Sequence, residues 1–353
     1  MIIQDIAGLE EFPGWSDVLS HLFHRRNLGF NLSRLALIEI LSGETSMAHA
    51  AAFVAALRTK GETVDEVSGM ASAMLEFATT VDVDPYLVDT CGTGGDRAGT
   101  INVSTMAALI VAGAGVKVCK HGGRASSSKA GSADVLESLG VKVDLGPSLV
   151  AECIEKANIG FCFASKFHPA MANVAALRHE LGVPTVFNFL GPLVNPARAK
   201  YQVIGVSDPA MAEIMVHVLA NQGSERAMVV YGEDGLDEIS TTAPSSILEL
   251  SRDGDGNAVF SRYKLDPTEF GFSLTTIDEL RGGEAKENAL IVREVLEGKS
   301  GPKADIALLN AGAALYICGA APSISDGVNF ARQSITSGAA LRALEGLVSN
   351  SQR

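Results

Sequence analysis

Cysteine is scarce in this 353-residue sequence: Cys91, Cys119, Cys153, Cys162 and Cys318 are odd in number and nowhere two residues apart. That spacing argues against a disulfide framework and a zinc knuckle, and reduced core thiols are expected. No apolar run reaches the roughly 20 residues of a membrane span. The longest uncharged stretch, Ile306 to Ala321, contains Asn310 among several Gly and Ala and is expected to be a buried helix. The opening MIIQDIAGLEEFPGW has neither a basic region with an apolar core nor an Arg-rich amphipathic pattern, so a cytoplasmic protein is expected. Basic charge is short as well: 28 Lys and Arg against 41 Asp and Glu leave a net −13, a poor match for nucleic acid or an anionic membrane. A GxSxG nucleophile motif is missing, Cys91 lacks an obvious His partner, and there is no internal repeat or low-complexity segment.

Carboxylates are also missing locally. The 37 residues between Asp96 and Asp134 contain none, yet they hold Arg97, Lys117, Lys120, His121, Arg124 and Lys129. A local electropositive site in an acidic protein points to a small anion. Around it, the chain is long enough for two domains or one large domain with a smaller attachment. The first 80 residues read as helices only: Ala50, Phe53, Val54 and Leu57 share one helical face, and Thr63 with Glu66 three residues on predicts a capping box. From Tyr86, short β-rich runs (YLVD, VKVC, VKV at 141–143, IGFCFA, KYQVIGV, RAMVVYG) alternate with helical ones, which predicts a largely parallel sheet covered by helices. Asp208 with Pro209 predicts a helix start. The segment HPAMANVAALRHELGVPTVFNFLGPLVNP interrupts this alternation, reading as helical and then loop-like. Further on, DGDGN reads as a surface turn ahead of C-terminal helices.

Three clusters fall at predicted strand ends. The first, DTCGTGGDRAG, fails both glycine signatures: a dinucleotide fingerprint starting at Gly92 wants glycine where Arg97 stands, and a P-loop spaced from Gly94 wants lysine where Thr100 stands. What remains is a glycine-rich turn whose backbone N–H groups can face an anion, with Thr100, Asn102, Ser104 and Thr105 opening a helix; a plain tight turn is the other reading. In the second, KVCKHGGRASSSKAGSAD, the cations Lys120 and Arg124, with His121, three serines and several glycines, suit an anion or form only a solvated loop. The third, VVYGEDGLDEIS, places Asp237 beside Glu238, a pair suited to Mg²⁺ shared with substrate phosphates, or a solvated turn. Together they suit a reaction that departs with pyrophosphate and needs no covalent nucleophile. His168 and His179 read equally well as packing residues.

This set of motifs, GTGGD, INVSTMAA, KHGGRASSS, GSADVLESLG, FHPAM, VPTVFNFLGPLVNP and DGLDE in order along nearly the whole chain, resembles the anthranilate phosphoribosyltransferase family. The resemblance implies an α/β fold class with a small all-helical domain plus a larger α/β domain whose mostly parallel central sheet is covered by helices. It puts residues 1–82 in the helical domain, with a second contribution from about 169–199. Residues 83–168 and 200–353 then form the α/β domain that binds 5-phosphoribosyl 1-diphosphate. By the same resemblance that substrate is held by Gly92, Gly95, Asp96, Thr100, Asn102, Val103, Ser104, Thr105, Lys120, His121, Gly122, Gly123, Arg124, Ala125, Ser126, Ser127, Ser128 and Ser132. Two Mg²⁺ ions are implied on Ser104, Asp237 and Glu238. Anthranilate is implied at Arg178, Gly92 and Gly123, with His121, His168 and Pro192 lining its pocket or path, and a homodimer through the helical domain is implied.

One departure matters. The family usually reads KHGNR where this chain has KHGGR, so Gly123 replaces an asparagine that helps hold anthranilate. Weakened amine binding, on the order of 1 kcal/mol or more, is expected from one lost hydrogen bond. A pyrimidine nucleoside phosphorylase-like enzyme is the nearest rival, but has little use for the DGLDE acid pair. A nucleic-acid-binding relative conflicts with the intact GTGGD and the net charge.

Overall fold

In the computed structural model, residues 9–125 and 129–353 are described. Four helices come first: α1 (Trp15–Phe23), α2 (Gly29–Leu41), α3 (Met47–Lys60) and α4 (Val64–Glu76). The predicted capping box is present, with Thr63 Oγ1 accepting from Glu66 N and the Glu66 carboxylate accepting from Thr63 N. Glu66 also accepts the Leu28 N–H, so one buried carboxylate ties α4 to the start of α2.

The α/β part follows as β1 (Val88–Gly92), α5 (Val103–Gly113), β2 (Val118–Gly122), α6 (Ser132–Ser138), α7 (Pro147–Ala157) and β3 (Ile159–Phe163). Three short helices, α8 (Ala164–Phe167), α9 (Ala175–Leu181) and α10 (Val186–Leu190), are accompanied by 3-10 turns at Pro169–Val174 and Gly191–Leu193. The chain then resumes with β4 (Tyr201–Gly205), α11 (Pro209–Asn221), β5 (Arg226–Gly232), β6 (Ser245–Arg252) and β7 (Ala258–Leu265). Four helices close it: α12 (Ala285–Leu296), α13 (Pro302–Ile317), α14 (Ile324–Thr336) and α15 (Ala339–Ser351).

The described strands form one sheet in the order β3-β2-β1-β4-β5-β6-β7, parallel through β5 and antiparallel in the last two. Side chains alternate between two cores. Val203, Met228 and Val230 join one with α5, α7 and the C-terminal helices, while Ile204, Ala227 and Val229 join the other with α1–α4 and α11. A sheet buried on both faces accounts for the near-continuous apolar strand sequences. Val174, Leu177, Val186, Phe187 and Leu190 also pack in the second core, so the segment that interrupts the strands rests on the N-terminal helices.

The expected strands need three corrections. β1 covers Val88–Gly92 rather than starting at Tyr86, which is exposed. β2 starts at Val118 rather than Val116, because its pairing with β3 runs from Val118↔Ile159 to Gly122↔Phe163 and takes Lys120 and His121 into the strand. Residues 141–143 are buried or exposed in alternation but form no strand: the Lys142 N–H donates to Ser351 Oγ of α15 at 3.0 Å instead of to a sheet neighbour. The DGDGN turn is present, with Asp253 Oδ1 accepting from Asp255 N and Asn257 N. The strands it joins, β6 and β7, had no clear sequence signal because β7 is largely exposed. All five cysteines are free, and Ile306 to Ile317 lies in the buried helix α13. No helix among the described residues is long and apolar enough to cross a membrane.

Candidate active site

The order of the strands determines where a site forms. The chain builds β1, β2 and β3 outward on one side, then returns to lay β4 on the other side of β1, so the carboxyl ends of β1 and β4 flank the crevice that α/β sheets use for ligands. Both strands end in glycine, and Gly92 and Gly205 are register partners. Asp237 fills the notch between them. A Cβ on Gly205 would lie 1.5 Å from the Asp237 carbonyl oxygen, and one on Gly92 would lie 2.6 Å from Asp237 Oδ2. Neither glycine has a positive φ, so close approach of Asp237 rather than backbone freedom explains their absent side chains.

The glycine-rich loop continues from Gly92 around this carboxylate. Gly94 N donates to Asp237 Oδ2 at 2.7 Å, and Thr93 N donates to Gly205 O at 2.9 Å. Positive φ values at Gly94, Gly95, Arg97 and Gly99 let the loop double back. Its far end is held from the C-terminal region. Gly282 N donates to Gly99 O, Ile101 N to Leu280 O, and Asn288 Nδ2 to Asn102 Oδ1 at 2.9 Å, while Asn102 Nδ2 donates to Ala130 O.

Asp237, Glu238 and Asp96 crowd together. Burial and then the charge of Asp96 push the Asp237 carboxyl up to about 7. Burial and the neighbouring Asp237 raise Glu238 well above the usual carboxylate range, although the Ser104 backbone N–H faces it. Acids gathered with so little compensating charge have the donor chemistry of a hard divalent ion that also takes ligands from substrate and water. No group of three or more His, Cys, Asp or Glu arranged to hold a metal ion occurs among the described residues.

Lys120 lies beneath this floor. It is buried, and its Nζ donates to Thr90 O at 2.6 Å and to Ser104 Oγ at 3.2 Å, while Thr90 Oγ1 donates to Ser104 O. It fixes Ser104 at the start of α5 and offsets the buried Asp89. Asp89 accepts in turn from Asn195 Nδ2 at 2.8 Å and His121 N at 3.2 Å. Val103 and Thr105 are buried in the first turn of α5, and Thr100 bridges to Arg281.

The expected electropositive patch is partly neutralised by acids from outside the carboxylate-free stretch. Lys117 pairs with Glu155, and Arg124 pairs with Asp134 at 2.8 Å and Glu137 at 2.6 Å while covering the Phe163 ring. Arg124 is therefore occupied in this conformation. Gly122 is set by close contact with Ser132, whose Oγ would lie 2.2 Å from a Cβ there. Gly131 packs against the backbone of Gly123, Arg124 and Ala125, pinching the base of the basic loop. Gly123 has space beside it: among the described residues a Cβ would meet only Ala164 Cβ, at 3.8 Å. Ser126, Ser127 and Ser128 lie outside the described residues.

His121 and His168 form a buried pair with ring centroids 5.0 Å apart. Burial, and then His168, lowers His121 to about 3, and burial lowers His168 to about 4, so both rings are neutral at ordinary pH. Pro192 is buried, its carbonyl accepting from Gln202 Nε2. Arg178 is half-buried on α9 with no carboxylate within 4.0 Å among the described residues, and burial alone lowers its pKa. A desolvated cation without a partner is costly unless an anionic ligand completes it.

Sequence reasoning gave no role to Asp89 or Asn195, which lie inside quoted motifs, nor to Gly205, Asn288 or Asn310. Asn310 also had a signal of its own, as a lone amide in an apolar helix that must find hydrogen bonds when buried.

Matches to known proteins agree with this architecture. Residues 84–341 match the family model described as "Glycosyl transferase family, a/b domain", and residues 16–78 match "Glycosyl transferase family, helical bundle domain". The anthranilate phosphoribosyltransferase of Alkaliphilus metalliredigens is 46% identical over 335 residues, covering 95% of this chain and 97% of that protein. The crystal structure of the Thermus thermophilus anthranilate phosphoribosyltransferase superimposes with a TM-score of 0.88 at 42% identity, covering 96% of this chain and 100% of that one. The Saccharomyces cerevisiae enzyme in complex with 5-phosphoribosyl 1-diphosphate and Mg superimposes with a TM-score of 0.87 at 29% identity, covering 96% and 98%. With both parts of its architecture matched and close relatives spanning nearly its whole length, the chain belongs to the anthranilate phosphoribosyltransferase family.

Proposed function

We propose that the protein transfers the 5-phosphoribosyl group of 5-phosphoribosyl 1-diphosphate to the amine of anthranilate in a Mg²⁺-dependent reaction that releases pyrophosphate, a step of tryptophan biosynthesis. The nitrogen–C1 bond of the ribose forms as the C1–oxygen bond to diphosphate breaks, and the amine loses one proton. The observation that carries this reading is the Asp237–Glu238 pair seated against the Gly92–Gly95 turn and Ser104 at the switch point of the sheet. Bound there, Mg²⁺ supplies positive charge to the leaving diphosphate.

The chain's own residues supply placement. Gly92 and Gly95 leave backbone room beside the diphosphate. Asp96, Thr100, the Asn102–Thr105 segment, residues 120–128 and Ser132 bind 5-phosphoribosyl 1-diphosphate. Lys120 keeps Ser104 Oγ oriented, and Ser104, Asp237 and Glu238 hold the metal, two ions per chain. Arg178 takes the anthranilate carboxylate, and the neutral His121–His168 pair with Pro192 lines the aromatic pocket. Catalysis is then positioning plus leaving-group stabilisation, with no covalent nucleophile. The same reading assigns 1–82 and about 169–199 to the helical domain, 83–168 and 200–353 to the α/β domain, a homodimer through the former, and the cytoplasm as location.

Incubation with anthranilate, 5-phosphoribosyl 1-diphosphate and Mg²⁺ tests the reading. Loss of anthranilate fluorescence that requires all three is expected. Phosphorolysis of a pyrimidine nucleoside without such loss would replace it with the phosphorylase activity.

A further inference from the structure

α13 carries one amide in an otherwise apolar stretch, and both of its ends are used. Asn310 is buried, its Oδ1 accepts the Ile239 N–H at 3.0 Å, and its Nδ2 donates to the Ile239 carbonyl at 2.9 Å and to the Ile306 carbonyl at 2.9 Å. An amide that pairs with both backbone groups of one residue imitates a neighbouring strand and fixes that residue's position and rotation. Ile239 directly follows Asp237 and Glu238.

The rest of this loop is braced too. Asp234 Oδ1 accepts the Leu236 N–H at 3.1 Å and its Oδ2 accepts Ser240 Oγ at 2.6 Å, while Ser240 N donates to Ser245 Oγ. Those bonds are made within the loop and its own strand. The Asp237 carboxylate itself reaches the glycine turn through Gly94 N, and Asn310 ties the backbone that follows the pair to a different element, the helix packed beneath the sheet. A leucine at this place in the helix would avoid burying an amide, whose desolvation cost is recovered only through hydrogen bonds.

We propose that Asn310 is a positioning residue for the acidic pair: by clamping Ile239 it sets where the Asp237 and Glu238 carboxylates stand to receive a divalent cation. This rests on the reading of Asp237 and Glu238 as cation ligands. Residues that orient metal ligands without touching the metal typically change affinity by about 10- to 100-fold when replaced.

The test uses the full chain and Mn²⁺ as probe, with free Mn²⁺ read by electron paramagnetic resonance in the absence of substrates. Asn310→Leu is expected to weaken Mn²⁺ binding by about tenfold and the milder Asn310→Ser by a smaller factor. Leu309→Ala, a buried apolar truncation in the same helix, is expected to lower the melting temperature while leaving Mn²⁺ affinity within about twofold. Unchanged Mn²⁺ affinity in Asn310→Leu, or an equal loss in Leu309→Ala, overturns the proposal. Should Asn310→Leu not fold, Asn310→Ser and amide exchange at Ile239 decide: slow exchange in the wild type that speeds up in Asn310→Ser is expected, and fast exchange in the wild type overturns it. Asp237→Asn separates the two layers. If it binds Mn²⁺ like the wild type, the acidic-pair reading fails and this proposal with it; if it loses Mn²⁺ while Asn310→Leu does not, only the positioning role fails.

Discussion

Replacing Gly92 with alanine adds one methyl group at the point where the glycine turn meets the acidic pair. The backbone at Gly92 accepts any L-residue, so the substitution acts through contact alone. The new Cβ would lie 2.6 Å from Asp237 Oδ2 and 3.0 Å from its Cγ, and ordinary contact at 3.4 Å requires the carboxylate to retreat by about 0.8 Å. Retreat stretches the 2.7 Å bond from Gly94 N, a hydrogen bond to an ionisable group of the kind worth about 1.5–3 kcal/mol. At roughly 1.4 kcal/mol per decade, kcat/KM for 5-phosphoribosyl 1-diphosphate should fall about 10- to 100-fold, with a higher Mg²⁺ requirement. Thermal stability should fall only modestly, because the new Cβ would also lie 3.2 Å from the Asp237 backbone oxygen, a contact that a shift of a few tenths of an ångström relieves. Steady-state kinetics across a Mg²⁺ titration, with melting curves alongside, measure both. A Gly92→Ala enzyme with kcat/KM and Mg²⁺ half-saturation within twofold of wild type would refute the notch argument. Gly205→Ala is the contrasting case: its Cβ would lie 1.5 Å from the Asp237 backbone oxygen, and a collapsed melting transition or insoluble protein is expected.

Four further outcomes follow from the site. Gly123→Asn has room for its Cβ and should lower the anthranilate KM about fivefold by restoring one hydrogen bond of about 1 kcal/mol; an unchanged KM would remove Gly123 from amine binding. Arg178→Leu should raise the anthranilate KM by tenfold or more without lowering the melting temperature, because it deletes a desolvated cation that has no carboxylate partner among the described residues; a large stability loss with normal KM would contradict this. His121 and His168, held near 3 and 4 by burial against an unfolded value near 6.5, bind fewer protons folded than unfolded. Their stabilising contribution is therefore complete above about pH 6.5 and falls as pH drops, by about 1.4 kcal/mol per pH unit for each ring. Ring resonances of both that stay unshifted from pH 8 to 5.5 are expected, and a titration near 6.5 would show the pair is not buried as described. Finally, Asp237 is pushed up to about 7 without a cation and Glu238 is raised as well, so Mg²⁺ binding at pH 6 should release at least about one proton per chain, seen by calorimetry in buffers of different ionisation enthalpy; binding without proton release would place the ion elsewhere.

The alternation of short apolar runs with helical ones was enough to read a helix-covered parallel sheet, because strands buried on both faces leave near-continuous apolar sequences such as IGFCFA and RAMVVYG. The β6–β7 hairpin was not legible, since exposed positions on β7 dilute the pattern. For the site, strand ends pointed to the glycine turn, the basic loop and the acid pair. The sequence could not say that they meet through Gly205, a glycine that looks like any strand terminus until Asp237 is placed against it. Nor did it reveal that Lys120 faces inward to Thr90 and Ser104, or that Arg124 is occupied by Asp134 and Glu137, because pairing across about ten residues or more depends on the fold. Asn102 was visible as part of a motif, whereas its partner Asn288 lies in an ordinary amphipathic helix far along the chain.

Phosphorus NMR of one reaction mixture containing the protein, anthranilate, 5-phosphoribosyl 1-diphosphate and Mg²⁺, with parallel chromatography of the aromatic product, tests the proposed activity most directly. Pyrophosphate and N-(5-phosphoribosyl)anthranilate should appear in equal amounts and neither should form when Mg²⁺ is chelated. Pyrophosphate release that does not depend on anthranilate, or no product with Mg²⁺ present, would contradict it.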